Sequence, residues 1–218
     1  MSLFVHVVDD DESFRKSVGR LLRACGFNVK EYESAQEFLA ASAEPGCILL
    51  DVRMRHMGGL ELQGRLAETA SIMPIVFLSG HADVLDSVRA MKAGAEDFLS
   101  KPARKAELVD AITRAFDRYR ENSERKSRSD ALHALLDTLT PRERQVFTLV
   151  AEGKLNKQIA HDLSTTERTI KAHRQKVMSK LQVKSFAELI TFAEHLKSDA
   201  TPAPSRQHES GLRHGPWH

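Results

Sequence analysis

Cysteine is scarce: the 218-residue chain has two, Cys25 and Cys47, far apart and without a CxxC pair. That excludes a disulfide framework and a cysteine-ligated zinc site, and leaves both as small buried hydrophobes. No apolar run approaches the roughly 20 residues that span a bilayer, so no membrane partner is expected. A secretory leader is not expected either. Phe4-Val5-His6-Val7-Val8 runs straight into three aspartates, where a signal peptide would have a basic start and a small-residue cleavage site. We therefore expect a cytoplasmic protein. The P-loop, the Rossmann glycine motif and the HExxH zinc motif are all missing, so nucleotide-dependent and metalloprotease activities have no support. What remains is 41% hydrophobic and 28% charged, an ordinary globular mix for one or two domains.

The net charge of +2 hides an asymmetry. Residues 1–122 carry 16 Lys and Arg against 19 Asp and Glu, and residues 123–218 carry 16 against 11. An acidic front suits a cation; a basic back suits a polyanion.

In the first 120 residues, short apolar runs alternate with helical patterns. Strands are predicted at 4–8, 28–32, 47–51, 74–78 and 97–100, and helices at 12–25, 35–41, 59–68, 84–93 and about 105–120. Five strand–helix units in series give a parallel sheet covered on both faces, an α/β fold. Residues 121–130, ENSERKSRSD, hold no apolar residue and read as a linker or a helical extension. From Ala131 onward only helical patterns occur. The tail from Asp199 is rich in turn formers and is expected to be disordered; its histidines and Trp217 read as an untethered end.

Ligands in open α/β sheets sit beyond the carboxyl ends of the strands. Strand 1 ends in Asp9-Asp10-Asp11, strand 3 in Asp51, strand 4 in Ser79-Gly80, and strand 5 in Ser100 followed by Lys101-Pro102. If the sheet closes in the usual order, Asp9, Asp10, Asp51, Ser79 and Lys101 share one rim. Acids at strand ends also serve as plain helix N-caps, the reading adopted for Asp11. Clustered carboxylates repel unless a cation sits among them. Hard oxygen ligands and an incomplete protein shell suit Mg²⁺. A carboxylate, a metal, a lysine and a hydroxyl together make a phosphoryl-accepting site, with Asp51 as nucleophile and the others neutralising charge.

The segments VHVVDDDESFRKSV, LLDVRM, FLSGHADV and AMKAGAEDFLSKP resemble the receiver domain of response regulators of the NarL/FixJ type, over roughly residues 3–120. The resemblance implies a flavodoxin-like, doubly wound five-stranded parallel sheet. It implies that Asp51 takes a phosphoryl group from a sensor histidine kinase. Asp10, Asp51 and the backbone carbonyl of Arg53 would bind Mg²⁺, with Asp9 assisting through water. Ser79 would bond the phosphoryl group, Phe98 would be the moving aromatic, Lys101 would pair with the phosphate, and the Lys101-Pro102 bond would be cis. The chain departs from the pattern at Arg55, where proline is usual, and at Ala103, where an aromatic is common.

In the back half, Thr140, Pro141 and Glu143 form an N-cap, a first-turn proline and a capping box. A helix follows to about residue 152, with Val146, Phe147, Leu149, Val150 and Ala151 as its stripe and Gly153 as its stop. A second helix, 156–163, buries Ile159, Ala160 and Leu163. Thr165 or Thr166 caps a third, running to about 181 with Ile170, Val177 and Leu181 inward. Elsewhere that helix carries Arg168, Lys171, Arg174, Lys176 and Lys180 against Glu167. A last helix, 186–196, closes the bundle. Two short helices around a tight turn, the second basic and capped, make a helix-turn-helix, a layout that reads duplex DNA.

LTPRERQVFTLVAEGKLNKQIAHDLSTTERTIKAHRQKVMSKLQV resembles the LuxR-type four-helix DNA-binding domain, over about residues 135–197. By that resemblance Lys171, Ala172 and Gln175 face bases, and Thr169, His173, Arg174 and Lys176 lie near the backbone of promoter DNA. Arg168 is unusual for the family and bears on base preference; His173 packing as a satisfied histidine is the alternative. The expected organisation is a receiver domain at 1–121, a linker at 122–134, a DNA-binding domain at 135–197 and a tail at 198–218.

Together the halves read as a transcriptional response regulator rather than an enzyme. It would form a homodimer on phosphorylation, with RNA polymerase a further candidate partner. Two alternatives stay open: a phosphatase using Asp51, though Arg53 stands where a dehalogenase-type enzyme has its general acid, and a signalling adaptor whose basic domain binds protein or RNA.

Overall fold

The structure, a computed structural model, describes residues 2–80 and 84–199. Two compact units divide between Ser123 and Glu124. The first contains β1 (Phe4–Val8), α1 (Glu12–Ala24), β2 (Asn28–Tyr32), α2 (Ala35–Ala40), β3 (Gly46–Asp51), α3 (Gly59–Glu68), β4 (Ile75–Ser79), α4 (Val84–Lys92) and β5 (Asp97–Ser100). The first part of α5 (Lys105–Asp137) belongs to it as well. The strands are all parallel in the order β2-β1-β3-β4-β5, the flavodoxin-like sheet that the resemblance implied.

A continuous apolar strand feeds two cores because successive side chains alternate faces. In β3, Ile48 and Leu50 join Phe38, Leu62 and Phe77 on one side. Cys47 and Leu49 join Val18, Leu22, Leu108 and Ile112 on the other. Both faces being buried is what places ligands at the strand ends. Strand β4 starts one residue later than the pattern predicts. Pro74 has no N–H to pair, and its carbonyl accepts from Ile48 N at 2.9 Å.

Helix α5 continues to Asp137, so residues 121–130 are helical rather than extended. They contain strong helix formers and neither Gly nor Pro. The helix is anchored at its start by buried Leu108, Ala111, Ile112 and Ala115 and near its end by Leu132, Leu135 and Leu136, which pack on the second core.

The second unit adds α6 (Pro141–Ala151), α7 (Asn156–Asp162), α8 (Glu167–Lys180) and α9 (Phe186–Asp199). Its core joins Val146, Phe147, Val150, Ile159, Ile170, Val177, Leu181, Leu189 and Phe192. Thr140 caps α6 in a full capping box with Pro141 in the first turn. Gly153 ends it at φ +83, while Gly153 N and Lys154 N bond the carbonyls of Val150 and Leu149 at 3.0 and 3.1 Å. The tail beyond Asp199 and residues 81–83 lie outside the described residues. No helix among those described is long and apolar enough to cross a membrane.

Candidate functional site

At the carboxyl ends of the strands, one oxygen each of Asp9, Asp10 and Asp51 lies within 4.8 Å of the others. Asp9 and Asp51 are buried, and Asp10 is half-buried. Lys101, just beyond β5, reaches back over them. Its Nζ is 2.6 Å from Asp9 Oδ2 and 3.1 Å from Asp51 Oδ1. Asp9 is held further by Asp11 N–H on its Oδ1 at 2.9 Å. The Arg15 guanidinium bonds the Asp9 carbonyl at 2.6 Å.

Local sequence explains this placement. Asp11 caps α1, accepting from Phe14 N at 3.1 Å, so the chain turns at once after β1 and leaves Asp9 and Asp10 at the rim. Gly59 starts α3 hard against β3: a Cβ there would stand 2.2 Å from the Asp51 carbonyl and 3.0 Å from the Phe77 ring. Only glycine permits that approach, which lets the loop after Asp51 fold back over the rim. The Lys101-Pro102 peptide is cis, and Lys101 N bonds the Ser79 carbonyl at 2.7 Å.

Burial pushes the Asp51 carboxyl above its usual range, and repulsion from Asp9 adds to this. The Lys101 charge and hydrogen bond and the Arg53 N–H pull the other way. Three carboxylates around one fixed ammonium leave a charge deficit, and every donor is a hard oxygen. That donor set fits Mg²⁺. Ser79 is buried at the end of β4. Phe98 is half-buried with its ring 6.0 Å from that of Phe77. The Arg53 guanidinium lies 3.8 Å from Asp86 of α4.

Sequence reasoning gave no role to two neighbours of the rim. Phe14, one helical turn into α1, places its ring 4.2 Å from Lys101 Nζ. Arg55, noted only as a departure from a pattern, bonds Asp10 Oδ2 with its backbone N–H at 3.1 Å and lies 3.4 Å from it with Nε. Only a tertiary structure brings these partners together, although the i, i+3 step from Asp11 to Phe14 is visible in the chain.

In the second unit, Thr166 is the cap of α8, accepting from Thr169 N at 3.2 Å. The preceding turn passes through Ser164 at φ +49. Ile170 and Val177 face inward. Arg168, Thr169, Lys171, Ala172, Gln175 and Lys176 are exposed together on the outer side of α8. His173 and Arg174 are half-buried. Arg174 donates to Asn156 Oδ1 at 2.6 Å, with its guanidinium carbon 5.4 Å from the Phe186 ring centre. His173 Nδ1 is buried without a hydrogen-bond partner among the described residues. Lys180 is not on the free basic face. It turns inward to Glu143 at 2.6 Å and the Thr138 carbonyl at 3.0 Å, because buried Glu143 needs a cation.

Comparison with known proteins agrees with both halves. Residues 5–113 match the response regulator receiver domain, and residues 137–193 match the bacterial regulatory proteins of the luxR family. Nodulation protein W of Bradyrhizobium diazoefficiens is 42% identical over 205 residues, covering 93% of this chain and 90% of its own. The transcriptional regulatory protein FixJ of Rhizobium meliloti is 40% identical over 191 residues, covering 87% and 94%. Among solved structures, the response regulator StyR superposes with a TM-score of 0.72 at 42% identity, covering 89% of this chain and 99% of its own.

Proposed function

Because the chain belongs to the response regulators that join a receiver domain to a LuxR-type DNA-binding domain, we propose that Asp51 accepts a phosphoryl group from a partner histidine kinase and thereby promotes promoter binding. The family consists of phosphorylation-regulated transcriptional regulators, not enzymes. The observation that carries the proposal for Asp51 is the Lys101 ammonium lying between the Asp9 and Asp51 carboxylates, at 2.6 and 3.1 Å, on a buried rim.

The chemistry is a single displacement. An Asp51 oxygen attacks the phosphorus of a phosphohistidine; the P–O bond forms as the P–N bond breaks, and the imidazole leaves. Lys101 moves its charge from the carboxylates to the phosphoryl oxygens. Asp10, Asp51 and the Arg53 carbonyl would hold Mg²⁺, Asp9 assisting through water. When bound, that ion neutralises phosphoryl charge. Ser79 donates its hydroxyl to the phosphoryl group and draws its loop inward, and Phe98 turns into the space released.

The phosphoryl group adds about −2 charge at the rim. The face of α4, β5 and α5 then rearranges and self-associates. Val84, Val88 and Met91, exposed along α4, support that reading. Two α8 helices one DNA turn (about 34 Å) apart would then read successive half-sites. Lys171, Ala172 and Gln175 face bases; Arg168, Thr169, His173, Arg174 and Lys176 serve the backbone contacts and base preference. As a DNA-bound regulator it works in the cytoplasm, with RNA polymerase its further partner. The proposed organisation remains a receiver at 1–121, a helical connection at 122–134, a DNA-binding domain at 135–197 and a tail at 198–218.

Phosphorylation of wild type and Asp51→Asn followed by promoter footprinting is the test. Wild type should gain protection on phosphorylation and Asp51→Asn should not. Equal protection in both would remove the regulatory role from Asp51.

A further inference from the structure

Among the described residues, two cations pair with the carboxylates of the cluster, and they differ in kind. Lys101 is nearly buried, with its side chain 15% exposed. It lies between Asp9 and Asp51 and under the Phe14 ring. Packing holds that charge in place. Arg55 has a side chain 83% exposed, and among the described residues it pairs with Asp10 alone. Its backbone N–H bonds the same carboxylate at 3.1 Å, and its guanidinium adds the charge.

Its partner is the most open of the three carboxylates, with the Asp10 side chain 26% exposed against 2% for Asp9 and 10% for Asp51. Asp9 already has both oxygens engaged, by Asp11 N–H and by Lys101. Asp10 therefore offers the accessible side of the rim, and Arg55 sits on it. A divalent ion arriving at Asp10 must displace a guanidinium or bind against its repulsion.

We propose that Arg55 is a resident counter-ion of Asp10 that competes with the divalent cation and so raises the Mg²⁺ concentration at which the rim loads. This rests on the reading of the rim as a Mg²⁺ site. Three carboxylates with Lys101 alone carry a net −2, and Arg55 reduces that to −1. The cation meets a less negative site until the arginine swings into solvent. An exposed pair of this kind is worth only a small multiple in binding, so Arg55 sets a threshold and does not block the site. The expected size is roughly two- to fivefold in the Mg²⁺ dissociation constant at low salt.

The experiment is isothermal titration of Mg²⁺ into the unphosphorylated full chain, for wild type, Arg55→Gln, Arg55→Lys and Asp10→Asn, at two salt concentrations. Arg55→Gln should bind roughly two- to fivefold more tightly than wild type, and Arg55→Lys, which keeps the charge, should stay near wild type. The difference should shrink at about 0.5 M salt, where exposed charges are screened over a few ångströms. Equal affinity of wild type and Arg55→Gln at low salt, or weaker binding in Arg55→Gln, would overturn the counter-ion role while leaving the metal site standing. Asp10→Asn binding as tightly as wild type is a different failure: the rim reading itself falls, and the role of Arg55 with it.

Discussion

His6 lies in the middle of β1 with no exposed surface. One ring nitrogen faces the Tyr32 hydroxyl at 3.1 Å and the other the Glu44 carbonyl at 2.9 Å. The carbonyl accepts, so Nε2 carries the proton and Nδ1 accepts from Tyr32: a neutral ring satisfies both partners. The Lys30 ammonium, paired with Glu44, is the nearby cation. Burial lowers the His6 pKa below its ordinary value, against the opposing pull of the Glu44 carbonyl and carboxylate and with help from Lys30. The unfolded chain takes up a proton near pH 6.5, the folded one only at lower pH. The stabilisation is therefore complete above about pH 6.5, and falls as pH drops from there towards the folded pKa. Urea midpoints should decrease between pH 7 and pH 5.5 in wild type, and more gently in His6→Gln; identical slopes would show that His6 does not carry the effect. The chain alone marked His6 only as one letter in an apolar run, because burial and partners 26 and 38 positions away are tertiary facts.

At the scale of an element, the start of α6 was legible in four letters. Thr140, Pro141 and Glu143 are local chemistry, and the capping box forms as the spacing predicts. What the spacing does not reveal is the second partner of Glu143. Lys180, the last residue of α8, closes on it at 2.6 Å, so one carboxylate caps α6 and ties it to α8. The Lys180 and Thr140 bonds hold its pKa down to about 2. A depressed carboxylate stabilises the fold fully above about pH 4.5, and the contribution disappears as pH falls towards 2. Glu143→Gln keeps the box but removes the charge. It should destabilise the second unit by about 1–2 kcal/mol at pH 7 and by much less near pH 3, read as a shift in thermal midpoint. A loss that does not change with pH would mean that the ion pair contributes nothing. Helix α5 makes the opposite point. Its apolar stripe fades after residue 120, yet it runs on to Asp137, since helix propensity carries the backbone across a stretch that has nothing to bury.

For the whole molecule, the acidic front and basic back match a cluster of three aspartates in one unit and an exposed basic helix in the other. A regulator that responds to one phosphoryl group must convert it into a large population change. Moving from 1:99 to 99:1 takes about 5.5 kcal/mol of differential stabilisation, more than a few hydrogen bonds at one rim supply without added subunit contacts. Size-exclusion chromatography with and without an acyl-phosphate mimic should therefore show a monomer becoming a dimer, and Val88→Asp on α4 should suppress the shift. A monomer under both conditions would sink the dimer model. The sequence by itself determined the order of strands and helices, the ends at which the aspartates and Lys101 stand, and the Thr140 cap of α6. Those follow from side-chain period and local hydrogen bonding, which act over a few residues. Only the tertiary structure decided that Lys101 bridges two carboxylates, that Arg55 rests on Asp10, and that Lys180 turns inward from the basic face. Each depends on which charges the packed strands and helices bring within a few ångströms, and no spacing along the chain encodes that distance.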